Sequence, residues 1–384
     1  MKYIYKFSAL ILSLVLIVSL CTVVSAATIV NYGDYSYSAN GDGTYMLYRY
    51  NGSKKNLVLP DEVSGLPVIG IYDNCFKNSD IMSVTIPSSY TSIGKNAFYG
   101  CSSVTSVTIP DSVLTIGDMA FGNCENLSSV VFSGTPKITA ISYAAFKDDT
   151  ALTEFTVPES VKSIASYAFS KSGMSSVIVP DAVTEIGSYA FSECGSLTSA
   201  ILPDSLSEIE NYTFYNCTVL ESVNFPAKLN SIGERAFSGC ALLTNIDLPN
   251  TLQSIGNYAF YNASSIGSMF VPDSVDSIGA EAFSPMSYSN TITVSYYENS
   301  YAETYCYENY VKSVKSYKKL KGDINLDGKV NIRDVTCIQL YGIGLLEPGY
   351  RALGLADVIG DDGKVNIRDA TQIQLYLVGK VDEL

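Results

Sequence analysis

The chain has 384 residues, a formal net charge of −14, and neither histidine nor tryptophan. The lack of imidazole excludes Ser-His-Asp and Cys-His catalysis, His-ligated zinc and haem held by a proximal His. The acidic balance disfavours nucleic acid and anionic membrane surfaces as partners, and a hydrophobic content of 47% is enough for a large buried core.

The N-terminus, residues 1–26, has the pattern of an export signal. A short basic region with Lys2 and Lys6 precedes an apolar run from Phe7 to Val24, and small residues follow up to Ala26. A membrane anchor is the alternative, but polar chain follows at once and no stop-transfer charges flank the run. We therefore expect a secreted, extracellular or cell-surface protein. No second apolar run of about 18 residues occurs, so we expect no membrane span in the mature chain.

Residues 27–56 are rich in Tyr and Gly and are predicted to form a β-hairpin cap. Asn40-Gly41 and Asp42-Gly43 are turn signals between Tyr-rich runs. Stacked repeats need atypical end units to cover their exposed core. Residues 296–321 are predicted to be the opposite cap and linker, with a short helix between Ser300 and Tyr310.

A unit of about 23 residues recurs about ten times from residue 57 to residue 295. Its most regular mark is a Phe, found at Phe76, Phe98, Phe121, Phe146, Phe169, Phe191, Phe214, Phe237, Phe260 and Phe283. In one unit, Val107 and Ile109 alternate with polar residues, as in a short strand with one buried face. Pro110 then ends that strand, and Gly117 predicts a tight or positive-φ bend. No single unit can bury its own apolar face, so the units must stack into a solenoid.

These units resemble the BspA-like leucine-rich repeats, in which the pattern IP…V…IG..AF..C..L recurs. The resemblance implies a β-rich leucine-rich-repeat solenoid of short parallel strands with irregular or short helical returns. It also implies a surface protein that binds other proteins or host and microbial surfaces, without catalysis. The unit that holds Phe146 departs by a longer step of 25 residues and lacks the Pro-Asp of its neighbours, so we expect a local bulge there.

Five cysteines stand three residues after the repeated Phe and would form a ladder along the solenoid: Cys101, Cys124, Cys194, Cys217 and Cys240. Adjacent rungs would lie within disulfide reach if their Cα atoms are about 4.4–6.8 Å apart. Buried free thiols are favoured, because Asp149, Ser172 and Ala263 take the same position in other units and the position therefore needs a small side chain.

Tyrosines recur beside the repeated Phe at Tyr99, Tyr189, Tyr215, Tyr258 and Tyr261. One interpretation is a stripe that binds a sugar or a protein. The other is ordinary solvated surface, and the sequence leaves both open.

Residues 323–334 have the signature of an EF-hand calcium loop. Oxygen ligands stand at alternating positions, and Gly328 allows the sharp turn. The predicted ligands are Asp323, Asn325, Asp327, the backbone carbonyl of Lys329, Asn331 and Asp334. Ca²⁺ is therefore the predicted bound ion.

The stretch of residues 329–344 returns as residues 364–379, with 12 of 16 positions identical. The loop before the second copy carries an insertion of one residue. Its candidate ligands, in a thirteen-residue loop, are Asp357, Asp361, Asp362, Lys364, Asn366 and Asp369.

This duplicated loop and helix resembles a type I dockerin, a small all-α module with paired calcium loops, here assigned to residues 322–384. The resemblance implies docking onto the cohesin domain of a scaffoldin in a cellulosome-like complex. It places cohesin contacts at Ile332, Arg333, Ile367 and Arg368, and more weakly at Gln339, Leu340, Gln374 and Leu375. Near-identical halves indicate that either half can face the partner. Val335, Ile338 and Tyr341 have helical spacing and are expected in the core of the module rather than at the interface.

The sequence therefore predicts a secreted, non-catalytic component of a cohesin–dockerin complex, with an unidentified protein or polysaccharide ligand for the solenoid. One alternative is a dockerin-bearing glycoside hydrolase. Such an enzyme needs paired carboxylates across a cleft, whereas the repeated Asp residues here are turn formers. Another alternative is a stand-alone cell-surface adhesin. No catalytic residue is predicted.

Overall fold

The computed structural model describes residues 28–284, 292–309, 311, 314–317, 330, 332–342 and 367–377. The predicted export signal lies outside these residues. The predicted domain boundaries stay predictions.

The N-terminal part of the described chain is an antiparallel unit that leads into a parallel one. Its strands are β1 (Ile29–Tyr32), β2 (Tyr35–Ala39), β3 (Tyr45–Tyr50), β4 (Asn56–Val58), β5 (Glu62–Val63) and β6 (Leu66–Ile71). Strands β1, β2 and β3 pair antiparallel, and β3 then pairs parallel with β6. The turn between β2 and β3 contains Gly41 and Gly43, both at positive φ. The predicted turn signals therefore lie where the chain reverses.

Most of the following coils contribute short strands to two parallel ladders. The first ladder contains β7 (Ser83–Thr85), β9 (Ser106–Ile109), β11 (Ser129–Phe132), β14 (Ser176–Ile178), β16 (Ser199–Ile201), β18 (Ser222–Val223) and β21 (Ser268–Phe270). The second contains β8 (Ser92–Ile93), β10 (Thr115–Ile116), β12 (Ala140–Ile141), β13 (Ser163–Ile164), β15 (Glu185–Ile186), β17 (Glu208–Ile209), β19 (Ser231–Ile232), β20 (Ser254–Ile255) and β22 (Ser277–Ile278). The pairing is in register, so that Val107 lies beside Val130 and Ile164 beside Ile186. The predicted solenoid of short parallel strands is confirmed, and its returns over residues 57–284 are irregular turns rather than helices.

The repeated Phe side chains form one continuous column through the core. From Phe76 to Phe260 neighbouring ring centroids lie 5.0–5.6 Å apart, with the planes within 11° of parallel. These rings are almost completely buried. Each coil therefore covers the ring of the one before it, which explains why the units are stable only as a stack.

The bend that the sequence assigned to Gly117 has a different cause. Gly117 does not have positive φ, and a Cβ atom there would lie 2.6 Å from the backbone nitrogen of Lys95 in the preceding coil. Close approach of two coils therefore requires glycine at this position. The positive φ occurs two residues later, at Met119, and the equivalent residues Tyr189 and Tyr258 have it as well.

The coil that contains Phe146 is irregular, as the sequence predicted. Its two additional residues fall between Phe132 and Ile138. After β11 the first ladder continues only through an isolated bridge between Ser129 and Glu154, and the second ladder is interrupted between β10 and β12. This coil therefore has one ladder interrupted at each of its two junctions with neighbouring coils.

The end of the Phe column is covered by β23 (Thr293–Tyr297), α1 (Tyr301–Glu308) and β24 (Val314–Tyr317). The ring of Tyr305 meets Phe283 edge-on at 5.7 Å, and its hydroxyl accepts a hydrogen bond from the backbone N–H of Ala282 at 3.2 Å. Ser300 caps the helix by accepting from the N–H of Glu303. An atypical end unit thus closes the core.

Two further helices, α2 (Ile332–Gly342) and α3 (Ile367–Leu377), pack against each other. Val335 and Ile338 of α2 are buried together with Ala370 and Ile373 of α3. In the part of the chain that the structure describes, no helix is both long and apolar enough to cross a bilayer.

Candidate interaction sites on the helix pair and the solenoid

The helices α2 and α3 begin with the same three residues, Ile-Arg-Asp. The third residue of each, Asp334 and Asp369, lies in the first helical turn and is completely buried. A carboxylate is favoured there by the helix dipole, and hard carboxylate oxygen is what Ca²⁺ requires. The last predicted ligand of each calcium loop therefore lies at an equivalent, buried position in its helix.

The remaining predicted calcium ligands lie outside the described residues: Asp323, Asn325, Asp327, Lys329, Asn331, Asp357, Asp361, Asp362, Lys364 and Asn366. Among the residues that the structure does describe, no three Asp, Glu or Cys side chains form a cluster that could hold a metal ion.

The predicted cohesin contacts are exposed wherever their side chains are described. Ile332 is 61% exposed and Leu375 37%, and Arg368, Gln339 and Gln374 are exposed as well. The side chains of Arg333, Leu340 and Ile367 lie outside the description. Val335 and Ile338 are buried, which agrees with their interpretation as core, whereas the side chain of Tyr341 is not described.

On the solenoid, a stack of side chains runs along the position two residues before the repeated Phe. It consists of Tyr143, Tyr167, Tyr189, Tyr212, Arg235 and Tyr258, and we call it the tyrosine stack; Tyr143 joins it from the neighbouring position. Tyr189 lies parallel to Tyr167 at 4.6 Å and to Tyr212 at 4.4 Å. The guanidinium of Arg235 lies 4.4 Å from the ring centroid of Tyr258. All of these residues except Tyr143 have positive φ.

Electrostatics hold the centre of the stack in place. The hydroxyl of Tyr212 donates a hydrogen bond to the carboxylate of Glu234 at 3.0 Å. Desolvation, followed by this carboxylate partner, raises the pKa of Tyr212 to about 12. The Tyr212 hydroxyl therefore stays protonated over the physiological range.

The geometry decides between the two kinds of ligand considered for the tyrosines. Stacking on a sugar requires a free aromatic face, but both faces of Tyr189 are covered by neighbouring rings. The stack presents ring edges and hydroxyl groups instead. Tyr and Arg with this exposure are typical of protein interfaces, so the stack is better suited to a protein than to a sugar.

The sequence identified part of this surface. Tyr189 and Tyr258 belong to the stack, and Tyr215 and Tyr261 meet it edge-on at 5.5 and 5.6 Å. Tyr99 lies apart from the stack, against the ammonium of Lys77. Tyr167 and Tyr212 were missed, although their spacing of two residues before Phe was a usable signal.

The cysteine ladder is a packing feature. Its five thiols are free and buried, and each donates to the carbonyl of the Phe in the preceding coil at 3.0–3.1 Å. Burial raises the pKa of Cys101 to about 12, which keeps it from forming a reactive thiolate. The preference for free thiols over disulfides is confirmed.

Comparison with known proteins gives a family match and several similar structures. A family model described as a BspA type leucine rich repeat region matches six copies, over residues 69–198 and 184–314. A leucine rich cell surface protein from Faecalibacterium prausnitzii is 23% identical, with 73% of this chain and 97% of that chain covered and a TM-score of 0.41. The pneumococcal vaccine antigen PcpA is 16% identical, with 76% and 98% covered and a TM-score of 0.47. A leucine-rich repeat protein from Bacteroides ovatus is 22% identical, with 77% and 99% covered and a TM-score of 0.41. No protein of curated function matches the sequence.

Proposed function

Because the chain belongs to the BspA-type leucine-rich repeat family, we propose that its solenoid binds a protein outside the cell and that its C-terminal helix pair docks it onto a cohesin domain. The family consists of surface repeat proteins suited to protein binding and is not a family of enzymes. The chain would then be a secreted, non-catalytic component of a cellulosome-like complex.

The observation that carries the docking proposal is that exposed residues repeat between α2 and α3. Packing of two helices requires only the buried residues to match, as Ile338 and Ile373 do. Gln339 and Gln374 are exposed and nevertheless identical. A duplicated exposed surface supports two equivalent docking faces, each with an Ile-Arg pair that offers an apolar anchor beside a fixed charge.

Calcium is part of the proposal. Asp334 and Asp369, with the Asp and Asn residues of the loops before them, would hold the ions. A bound Ca²⁺ supplies the positive charge that allows several carboxylates to lie close together, so binding and ordering of the loops are coupled. The protein's own residues would then fix the start of each helix, where the Ile-Arg pairs stand in the sequence.

The test is binding of the full mature chain to a panel of cohesin domains, with and without a calcium chelator. Replacing one Ile-Arg pair by alanines (Ile332→Ala with Arg333→Ala) should change the affinity only slightly, because the other half can bind. Replacing both pairs should weaken binding at least about 100-fold. Ile178→Ala, at an exposed position of the solenoid, is the control and should bind normally.

Three outcomes would contradict the proposal. Loss of binding with one pair alone argues against equivalent faces, and binding that survives the chelator argues against calcium. If no cohesin binds while the solenoid still attaches to a surface, the chain is a stand-alone adhesin.

A further inference from the structure

Asp149 occupies a rung of the cysteine ladder and is completely buried there. Its Oδ1 atom accepts a hydrogen bond from the backbone N–H of Cys124 at 2.8 Å. Its Oδ2 atom is also buried and has no hydrogen-bond partner. In five other coils the same position is a Cys whose S–H donates to the Phe carbonyl of the preceding coil. An ionised carboxylate cannot donate in this way, whereas a protonated one can.

The surroundings of Asp149 disfavour its charge. Desolvation raises the pKa of Asp149 well above its usual value, and the nearby Asp148 adds to the effect. The titratable group from the preceding coil is the thiol of Cys124. In its own coil Asp148 is paired with Lys147 at 2.7 Å, and in the following coil Lys171 faces Glu193 at 3.7 Å. Both cations are thus already matched by acids, and burial favours the neutral form of Asp149 while the coil is closed.

The buried carboxyl lies in a coil that has one ladder interrupted at each of its two junctions. We call residues 129–152 the Asp149 coil. Across it the first ladder is reduced to the Ser129–Glu154 bridge, and the second ladder is interrupted. Solenoid stability is a sum over coils and their interfaces, so a coil with fewer backbone hydrogen bonds opens before its neighbours do.

We propose that the Asp149 coil is a pH-sensitive joint between the parts of the solenoid on either side of it. With Asp149 protonated, no charge is buried at this rung of the ladder, and the joint is closed. With Asp149 ionised, an unpaired charge is buried, and the coil opens locally while the blocks on either side stay folded.

The sign of the pH dependence follows from a pKa that is raised in the folded state. An unfolded Asp has a pKa of about 3.9, so the open coil is ionised above about pH 4 while the closed coil keeps its proton. The stability contributed by the closed coil is complete below about pH 4 and is lost progressively as the pH rises towards the folded pKa of Asp149.

The experiment is native-state hydrogen exchange of the full mature chain, measured by peptide mass spectrometry at pH 5 and pH 8 and corrected for the intrinsic exchange rates. We expect protection in residues 129–152 to fall at least about 10-fold from pH 5 to pH 8, with little change in coils 164–283. Asp149→Cys, which places the ladder's usual residue at this rung, should remove the fall. Asp181→Asn, at an exposed position of another coil, is the control and should keep it.

A second variant keeps the proposal falsifiable if Asp149→Cys fails to fold. Asp149→Asn removes the charge and keeps the shape, and it too should show no pH-dependent fall. Equal protection of the wild-type coil at both pH values would overturn the proposal. So would a fall that the Asp149 variants share, or one spread evenly over all coils.

Discussion

The solenoid and the C-terminal helix pair are both built by repetition, but different residues repeat in them. In the solenoid the buried residues repeat, as the column from Phe76 to Phe283 shows. The residues outside the core vary, and the half-buried position two before Phe is Met119 in one coil, Tyr189 in another and Arg235 in a third. In the helix pair, exposed residues repeat as well. Repeated buried residues are explained by packing, whereas repeated exposed residues indicate a shared interaction. The repeats of the helix pair therefore indicate a function, and those of the solenoid mainly indicate a fold.

The contrast between the two regions would fail most directly if the buried Phe column did not hold the coils together. Phe191→Ala should lower the free energy of unfolding by about 3–5 kcal/mol, because it removes a fully buried ring from the stack. Ile178→Ala, at an exposed position of a neighbouring strand, should change it by less than about 0.5 kcal/mol. Urea denaturation followed by circular dichroism measures both, and similar losses in the two variants would contradict this account.

The cysteine ladder tests the same difference between buried and exposed positions, with a smaller expected loss of stability. Cys217→Ser should destabilise the chain by about 1–3 kcal/mol, because it changes a completely buried, close-packed rung. In the native protein the ladder thiols should resist alkylation by iodoacetamide at pH 8, since burial raises the pKa of the Cys101 thiol to about 12. Peptide mapping after labelling, with and without denaturant, measures this. Rapid labelling of Cys101 in the folded chain would show that the ladder is open to solvent.

The half-buried tyrosine stack should contribute least to stability. Tyr212→Phe removes one hydrogen bond to Glu234 and should cost about 0.5–1.5 kcal/mol. The same variant should weaken binding if the stack contacts a protein partner, because the stack then lacks one hydroxyl group at its outer edge. Thermal unfolding measures the stability change, and a loss above about 3 kcal/mol would place the stack with the core rather than with the surface.

Much of the solenoid could be predicted from periodicity, since buried positions recur at a fixed step. The tight approach at Gly117 could not, because it depends on the distance between successive coils. The parallel contact of Tyr189 with Tyr167 and Tyr212 depends on positive φ values that no single residue type signals. The sequence placed Asp149 on the ladder, but only coordinates show that one of its oxygens lacks a partner.

For the helix pair, the sequence predicted that Val335 and Ile338 belong to the core, and the structure places them there. It also predicted contacts at Ile332, Arg368, Gln339, Gln374 and Leu375, which are all exposed. Contact between these residues and a cohesin stays a prediction, and so does the set of calcium ligands in the loops. The ligands of each loop would be brought together by a bound ion, and the contact residues would be covered by a bound partner.

Calorimetric titration of the mature chain with Ca²⁺ tests the central claim most directly. The account predicts uptake of Ca²⁺ by the chain, and loss of that uptake in the double variant Asp334→Ala with Asp369→Ala, while the solenoid's thermal unfolding stays the same. The absence of Ca²⁺ uptake in the wild-type chain, or equal uptake in the double variant, would contradict it.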